Sequence, residues 1–185
     1  LPIFSVTEIV TICREITCET EVFVYGGLCV MAEGRCSLSS YVTGQSPNMH
    51  GVCSPASHVS YRREGETLIS RLGDFTINRF AAQEAAGYPT LCKGRFATGL
   101  GAGYIFEDPV SLDAASLLPA LRDAGVCAFK IEGRQRGRAY TQNVVRAFRQ
   151  ALAAMAEGRD ITSAGLAAMS EGQETTAGAY RKVWR

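Results

Sequence analysis

Apolar residues recur at helical or strand spacing along much of the chain, and this pattern predicts alternating helices and strands. Residues 5–17 predict a helix in which Ser5 caps the start and Glu8, three positions later, completes a capping box. The apolar positions of this segment at helical spacing are Ile9, Ile12 and Ile16. Residues 21–26, which are β-branched and aromatic and end at a glycine, predict a strand.

The second half of the chain continues the same alternation. The predicted elements are one or two short strands in 68–80, a short helix in 80–89, a helix in 111–124, a buried strand in 127–133 and a long amphipathic helix in 139–158. Pro119 either kinks the third of these segments or marks where its helix starts. Helices that alternate with strands indicate an α/β fold with a parallel sheet.

The long helix has one apolar face, formed by Val144, Val145, Phe148, Leu152 and Met155. Such a face packs either on a sheet or on a partner protein. Packing on a sheet accounts for it fully, so we expect these residues in the core.

The alternation is interrupted by a turn-rich region that carries cysteines. Four cysteines follow the pattern C-x6-C-x16-C-x38-C, and they are Cys29, Cys36, Cys53 and Cys92. An iron–sulfur cluster takes four thiolates and tolerates irregular spacing, whereas structural zinc favours paired C-x2-C knuckles, which this pattern lacks. Basic residues beside the cysteines, which would offset thiolate charge, are Arg35, Lys93 and Arg95. Four unrelated cysteines, some of them buried as small apolar residues, are the alternative.

Composition narrows the function classes. The 185 residues are 46% apolar and 20% charged with a net charge of +1, which fits one globular domain and gives no overall field for nucleic acid or membrane. The seven cysteines are an odd number and cannot all pair with each other. The first residues lack a signal-peptide pattern, so we expect a cytoplasmic protein with reduced or metal-bound thiols.

A second group of candidate residues follows the strand predicted in 127–133. Its charged side chains are Lys130, Glu132, Arg134, Arg136 and Arg138. Functional groups of β/α folds gather at the carboxyl ends of strands, so this group and the cysteines would face one pocket. Lys130, Glu132 and Arg134 are the candidates for binding an anionic substrate such as a dicarboxylate. A solvated basic loop and a contact with RNA phosphates are the alternatives.

Hydrolytic motifs are absent from the sequence. His50 and His58 are the only histidines, and the chain contains neither G-x-S-x-G nor H-E-x-x-H. We therefore do not expect a serine or zinc protease.

Four longer motifs give the chain a family resemblance from about residue 21 to its end: "EVFVYGGLCVMAEGRCSLSSYVTGQSPNMHGVCSPA", "GYPTLCKGR", "KIEGRQRGRAY" and "MSEGQETTAGAY". They resemble the collagenase-like peptidase family U32. The resemblance implies a single domain over 1–185, the C-terminal part of a β/α (TIM-like) barrel, with a cysteine-rich insertion at about 26–95. It further implies a [4Fe-4S] cluster on Cys29, Cys36, Cys53 and Cys92. Family members carry a longer N-terminal part, so we expect this chain to be a fragment.

Within that family, the motifs most resemble the member that acts in oxygen-independent ubiquinone biosynthesis. This implies an iron–sulfur component of a hydroxylase for the aromatic ring of ubiquinone precursors, with prephenate as the hydroxyl donor. It also implies a heterodimer with a UbiV-like paralogue and help from a UbiT-like lipid-binding protein. Other family members hydroxylate bases of ribosomal or transfer RNA, which is the second hypothesis. The third is a non-catalytic module that binds zinc through the four cysteines.

Overall fold

The chain folds into two compact units. The sheet unit consists of Leu1–Leu28 and Val110–Arg185, and the cysteine unit consists of Cys29–Pro109. A computed structural model describes residues 4–29, 31, 35–161, 165–170, 172 and 174–181. The cysteine unit is an insertion between two segments of the sheet unit, and it contains most of the cysteine-rich region expected at 26–95.

Helices and strands alternate in the sheet unit apart from the insertion, whereas in the described part of the cysteine unit two short α-helices precede five strands. The α-helices are α1 Val6–Glu15, α2 Ser37–Thr43, α3 Pro47–His50, α4 Leu118–Asp123, α5 Arg138–Ala156 and α6 Gly178–Arg181. The strands are β1 Glu21–Gly27, β2 Val59–Glu64, β3 Thr67–Leu72, β4 Phe75–Phe80, β5 Arg95–Thr98, β6 Gly101–Tyr104, β7 Val110–Asp113, β8 Ala128–Ile131 and β9 Glu174–Thr176.

The sheet unit is built on a mixed sheet with the strand order β8-β1-β7-β9. Strand β8 is parallel to β1 and β9 is parallel to β7, but β7 is antiparallel to β1. The predicted α/β class is confirmed. The expectation of a purely parallel sheet is wrong because of β7. Within the described residues the strands form an open sheet rather than a closed barrel, and the barrel stays an expectation from the family resemblance.

Apolar side chains from the sheet and from α1, α4 and α5 form one core in the sheet unit. Tyr25 lies at its centre: its ring centroid is 5.8 Å from that of Phe148, and its hydroxyl donates a 2.6 Å hydrogen bond to the Leu166 carbonyl oxygen. Val144 and Phe148 are buried as predicted, and Leu152 and Met155 pack against the core. Val145 is the exception, because 41% of it is exposed.

Most local signals of the sheet unit are confirmed, but the strand predicted as buried in 127–133 forms as β8 with exposed and half-buried residues, because it lies at the edge of the sheet. Helix α1 has the predicted capping box, in which the Ser5 and Glu8 side chains each accept from the other's backbone N–H. The helix predicted over 111–124 is wrong in its first part. Residues Val110–Asp113 instead form β7, because both neighbouring strands supply hydrogen-bond partners there. Helix α4 begins only at Leu118, with Pro119 in its first turn. Proline lacks a backbone N–H, and it is tolerated there because the N–H groups of a first turn have no partner within the helix.

The cysteine unit contains a three-stranded antiparallel sheet, β2-β3-β4, and the two-stranded hairpin β5-β6. The strands β3 and β4 confirm the prediction of strands in 68–80. The sequence did not predict β2, whose residues are almost all exposed and carry no alternating apolar pattern. The helix predicted over 80–89 is wrong. A turn forms instead, in which the Glu84 carboxylate accepts from the Ala81 N–H and pairs with Arg95 at 2.8 Å.

Among the residues that the structure describes, no helix has the length and apolar character required to cross a membrane.

Candidate metal centre

The four motif cysteines all lie in the cysteine unit, each at a different turn. Cys29 follows β1, Cys36 precedes α2, Cys53 follows α3 and Cys92 lies in the 3-10 turn Leu91–Lys93. All four are free thiols. Turns rather than regular elements therefore carry the sulfur atoms, as the distribution of glycine and proline predicted.

Cys36 is the N-cap of α2. Its Sγ accepts a hydrogen bond from the Ser39 backbone N–H at 3.4 Å, and its carbonyl oxygen accepts from the Ser40 N–H at 3.1 Å. The N-cap position therefore places the Cys36 sulfur at the start of α2, in contact with a backbone N–H group of that helix.

A buried serine connects the turns of Cys36 and Cys53. The Ser39 hydroxyl donates to the Cys53 carbonyl oxygen. Ser54 is fully buried beside Cys53, and its carbonyl oxygen accepts from the Tyr88 hydroxyl at 2.9 Å. Burial raises the pKa of the Cys53 thiol, and a hydrogen bond from the Ser54 side chain acts in the opposite direction. This network holds Cys53 in a polar but largely dry environment.

Cys92 is the most buried of the four cysteines, with 7% exposure. Burial raises the pKa of its thiol to about 12, while the charge of the neighbouring Lys93 lowers it. The carbonyl oxygen of Cys92 accepts from the Glu107 backbone N–H at 3.1 Å. Burial therefore favours the neutral form of this thiol.

Electrostatic interactions connect all four thiols. Negative charge on Cys36 or Cys29 raises the pKa of the Cys53 thiol. Negative charge on Cys53 or Cys29 likewise raises the pKa of the Cys92 thiol. Such interactions weaken with distance, and they agree with the prediction that the turns bring these thiols toward one site.

The four free thiols are the donor set that a [4Fe-4S] cluster takes, one thiolate at each iron atom. Among the described residues, no group of three or more His, Cys, Asp or Glu side chains is arranged to hold a metal ion. A cluster on Cys29, Cys36, Cys53 and Cys92 stays a prediction.

The predicted anion-binding residues lie in the sheet unit, where two of them have ion-pair partners. The exposed Lys130 Nζ on β8 lies 3.2 Å from Glu21 Oε1. Glu132 follows β8, and its carboxylate lies 3.4 Å from Arg136 Nε, both side chains being largely shielded from solvent. Arg134 is exposed. These partners account for Lys130 and Glu132 structurally, and a role in substrate binding stays a prediction.

Sequence reasoning missed the polar residues that surround the thiols. Ser39 and Ser54 lie inside a quoted family motif and Glu107 lies outside the motifs, but none of the three was singled out. Ser54 directly follows Cys53, and Ser39 lies three positions after Cys36, as the partner of an N-cap does. The histidines lie elsewhere: His50 is exposed in the last turn of α3, and His58 Nδ1 lies 3.1 Å from Ser57 Oγ.

Comparison with known proteins supports the family. The profile of Peptidase family U32 matches residues 4–184. The chain belongs to this family. Its relatives include the 23S rRNA 5-hydroxycytidine C2501 synthase of Escherichia coli (strain K12), with 30% identity over 75% of this chain and 17% of the relative.

Two further relatives show how broad the family is. The tRNA hydroxylation protein P of Haemophilus influenzae is 28% identical over 84% of this chain and 38% of its own length. A collagenase of Porphyromonas gingivalis is 28% identical over 75% of this chain and 27% of its own length. The chain thus spans well under half the length of these curated relatives. No solved structure matches it significantly.

Proposed function

We propose that this chain is the cluster-bearing part of an oxygen-independent hydroxylase. The observation that carries the proposal is the set of four free thiols, Cys29, Cys36, Cys53 and Cys92, on turns of one unit. The hydroxylase names of several relatives in the same family support the reaction class. A [4Fe-4S] cluster bound there would supply one-electron redox chemistry.

The residues around the thiols prepare them for this role. The start of α2 supplies an N–H group to the sulfur of Cys36, and Ser54 supplies a hydroxyl to that of Cys53. Burial of Cys92 keeps water away from one side of the site. Hydrogen bonding and solvent exclusion are the means by which a protein adjusts a cluster and protects it.

For the substrate, we propose the aromatic ring of a ubiquinone precursor, as in the family member UbiU. The support is the motif resemblance, which runs from about residue 21 to the end of the chain. A UbiV-like partner, a UbiT-like lipid-binding protein and prephenate as the hydroxyl donor belong to this proposal. Lys130 and Arg134 are the proposed contacts for an anionic group.

Hydroxylation of an RNA base is the second candidate. The observation in its favour is that relatives named for ribosomal and transfer RNA hydroxylation match three quarters or more of this chain. The net charge of +1 provides no overall attraction for RNA, which favours the quinone proposal.

The cluster is tested by anaerobic purification of the full-length protein, followed by iron and sulfide analysis and visible spectroscopy. We expect about four irons and four sulfides per chain, lost in Cys36→Ala and retained in Cys127→Ala. Cys127 is a matched control because it is exposed and lies outside the motif. A colourless protein that binds zinc, or no metal after anaerobic reconstitution, would refute the proposal.

The substrate is tested in an anaerobically grown deletion strain. Quinone intermediates and modified nucleosides are measured in the same cultures, with the intact gene restored as the control. Accumulation of an unhydroxylated quinone precursor, with unchanged nucleosides, supports the first candidate. Loss of a hydroxylated nucleoside with normal quinone supports the RNA candidate instead.

A further inference from the structure

Of the basic residues beside the motif cysteines, Lys93 alone is buried among the described ones. Its exposure is 7%, whereas Arg35 is exposed. Arg95 is 30% exposed at its side chain, pairs with Glu84 at 2.8 Å and donates to the Arg79 carbonyl oxygen at 2.7 Å. The structure therefore separates these residues: Arg95 holds a turn, and Arg35 faces water.

Lys93 lies in the same 3-10 turn as Cys92 and directly follows it. Lysine is rarely buried, because removing its ammonium group from water carries a large free-energy penalty. Because Lys93 directly follows Cys92 in one turn and is itself buried, its charge lies near a predicted ligand and is little screened by water.

Glu107 provides a charge of opposite sign at the same cysteine. Its backbone N–H donates to the Cys92 carbonyl oxygen at 3.1 Å, and one of its carboxylate oxygens is shielded from solvent. The two residues therefore form an opposed set of charges next to one predicted ligand.

We propose that Lys93 and Glu107 set the reduction potential of the cluster, Lys93 raising it and Glu107 lowering it. This inference rests on the proposed function. Four thiolates make the oxidised centre net negative, and one electron from an added reductant such as dithionite makes it more negative. A nearby positive charge stabilises the reduced form, and the effect is strong where burial limits screening.

The experiment is an anaerobic redox titration of the full-length holoprotein, followed by electron paramagnetic resonance. We expect Lys93→Met to shift the midpoint to lower potential and Glu107→Gln to shift it to higher potential. Lys93→Arg keeps the charge and is expected to stay near wild type. Arg63→Met, which removes an exposed positive charge in the same unit, is the matched control and is expected to leave the midpoint unchanged.

The outcomes separate this inference from the proposed function. A wild-type protein without a cluster would refute the function itself. A cluster whose midpoint is the same in Lys93→Met and wild type would overturn the inference alone. Midpoint shifts in the same direction in Lys93→Met and Glu107→Gln would also overturn the inference. Removing charges of opposite sign should shift the midpoint in opposite directions, so a common direction would indicate a structural disturbance. If Lys93→Met loses the cluster, Glu107→Gln decides: an upward shift supports the inference, and an unchanged or lower midpoint overturns it.

Discussion

The two units bury different kinds of side chain. The sheet unit has one continuous apolar core, centred on Tyr25 and contacted by α1, α4 and α5. The cysteine unit buries few large apolar side chains, and they are Ile69, Leu72, Ile77 and Phe80. Most of the buried polar side chains among the described residues also belong to the cysteine unit, namely Ser39, Thr43, Ser54, Ser70 and Lys93.

This contrast has an energetic consequence. Apolar burial is the main favourable contribution to folding, so the sheet unit has a sufficient source of stability of its own. Buried polar groups contribute little net free energy even when they are hydrogen-bonded. A unit with a small core commonly needs a metal or disulfides, and the motif cysteines are free. We therefore expect the cysteine unit to depend on the cluster proposed for it.

Removal of the cluster is expected to have the largest effect. Oxidative loss of the iron should open the cysteine unit, because ligand binding and folding of a metal site are coupled. Limited proteolysis with mass spectrometry should show new cleavage within Cys29–Pro109, while helix α5 stays protected. If both units resist proteolysis equally with and without the cluster, the expected difference between them in dependence on the cluster is wrong.

A core substitution in the sheet unit comes next. Leu118 is fully buried at the start of α4, and Leu118→Ala should lower the free energy of unfolding by about 2–5 kcal/mol. Chemical denaturation measures this value, and iron analysis of the folded protein should be unchanged. Loss of iron from a folded Leu118→Ala protein would show that the two units are not independent in this respect.

Gly26 is expected to tolerate no side chain. Its φ is +142°, and a Cβ there would lie 2.3 Å from the Glu132 Cβ. Gly26→Ala should destabilise the protein by about 1–3 kcal/mol or more, because both the backbone and the packing are strained. Gly137→Ala is the control, since its Cβ would meet nothing within 4 Å. Similar unfolding midpoints for the two variants would contradict this account.

The cap of α1 makes a smaller contribution. Ser5→Ala should cost about 1 kcal/mol, the usual value of an N-cap side chain. Hydrogen bonds from Ser5 lower the pKa of Glu8 below its ordinary 4.5. Their contribution is therefore present above that pH and is lost as the pH falls through the lowered value. The stability difference between wild type and Glu8→Gln should shrink on acidification, and a difference independent of pH would exclude this linkage.

Lys130→Ala should have the smallest effect on stability. Its ion pair with Glu21 is solvent-exposed, and such pairs contribute about 1 kcal/mol at most. Any larger consequence should appear in hydroxylation by the full-length complex, with Glu21→Ala as the control that breaks the same pair. If hydroxylation is unchanged in both Lys130→Ala and Arg134→Ala, the proposal that these residues contact the substrate is wrong.

Part of the candidate site was accessible from sequence. The glycines and prolines around Cys29, Cys36, Cys53 and Cys92 predicted that turns carry these cysteines, and the structure places each at a turn; a shared site stays a prediction. The sequence did not show that Lys93, rather than Arg35 or Arg95, is the buried basic residue. All three lie beside a cysteine in the chain, and only packing determines which of them is buried.

The sequence by itself determined the elements that depend on local chemistry. The capping box of α1, the period of α5 and the β-branched run of β1 each act between residues close in the chain. Tertiary structure alone decided β7, the mixed sheet and the polar surroundings of the thiols. Residues 110–113 join a helix or a strand according to what lies beside them, and β1 and β9 provide the pairing. Pairing and burial join residues far apart in sequence, so no local pattern records them.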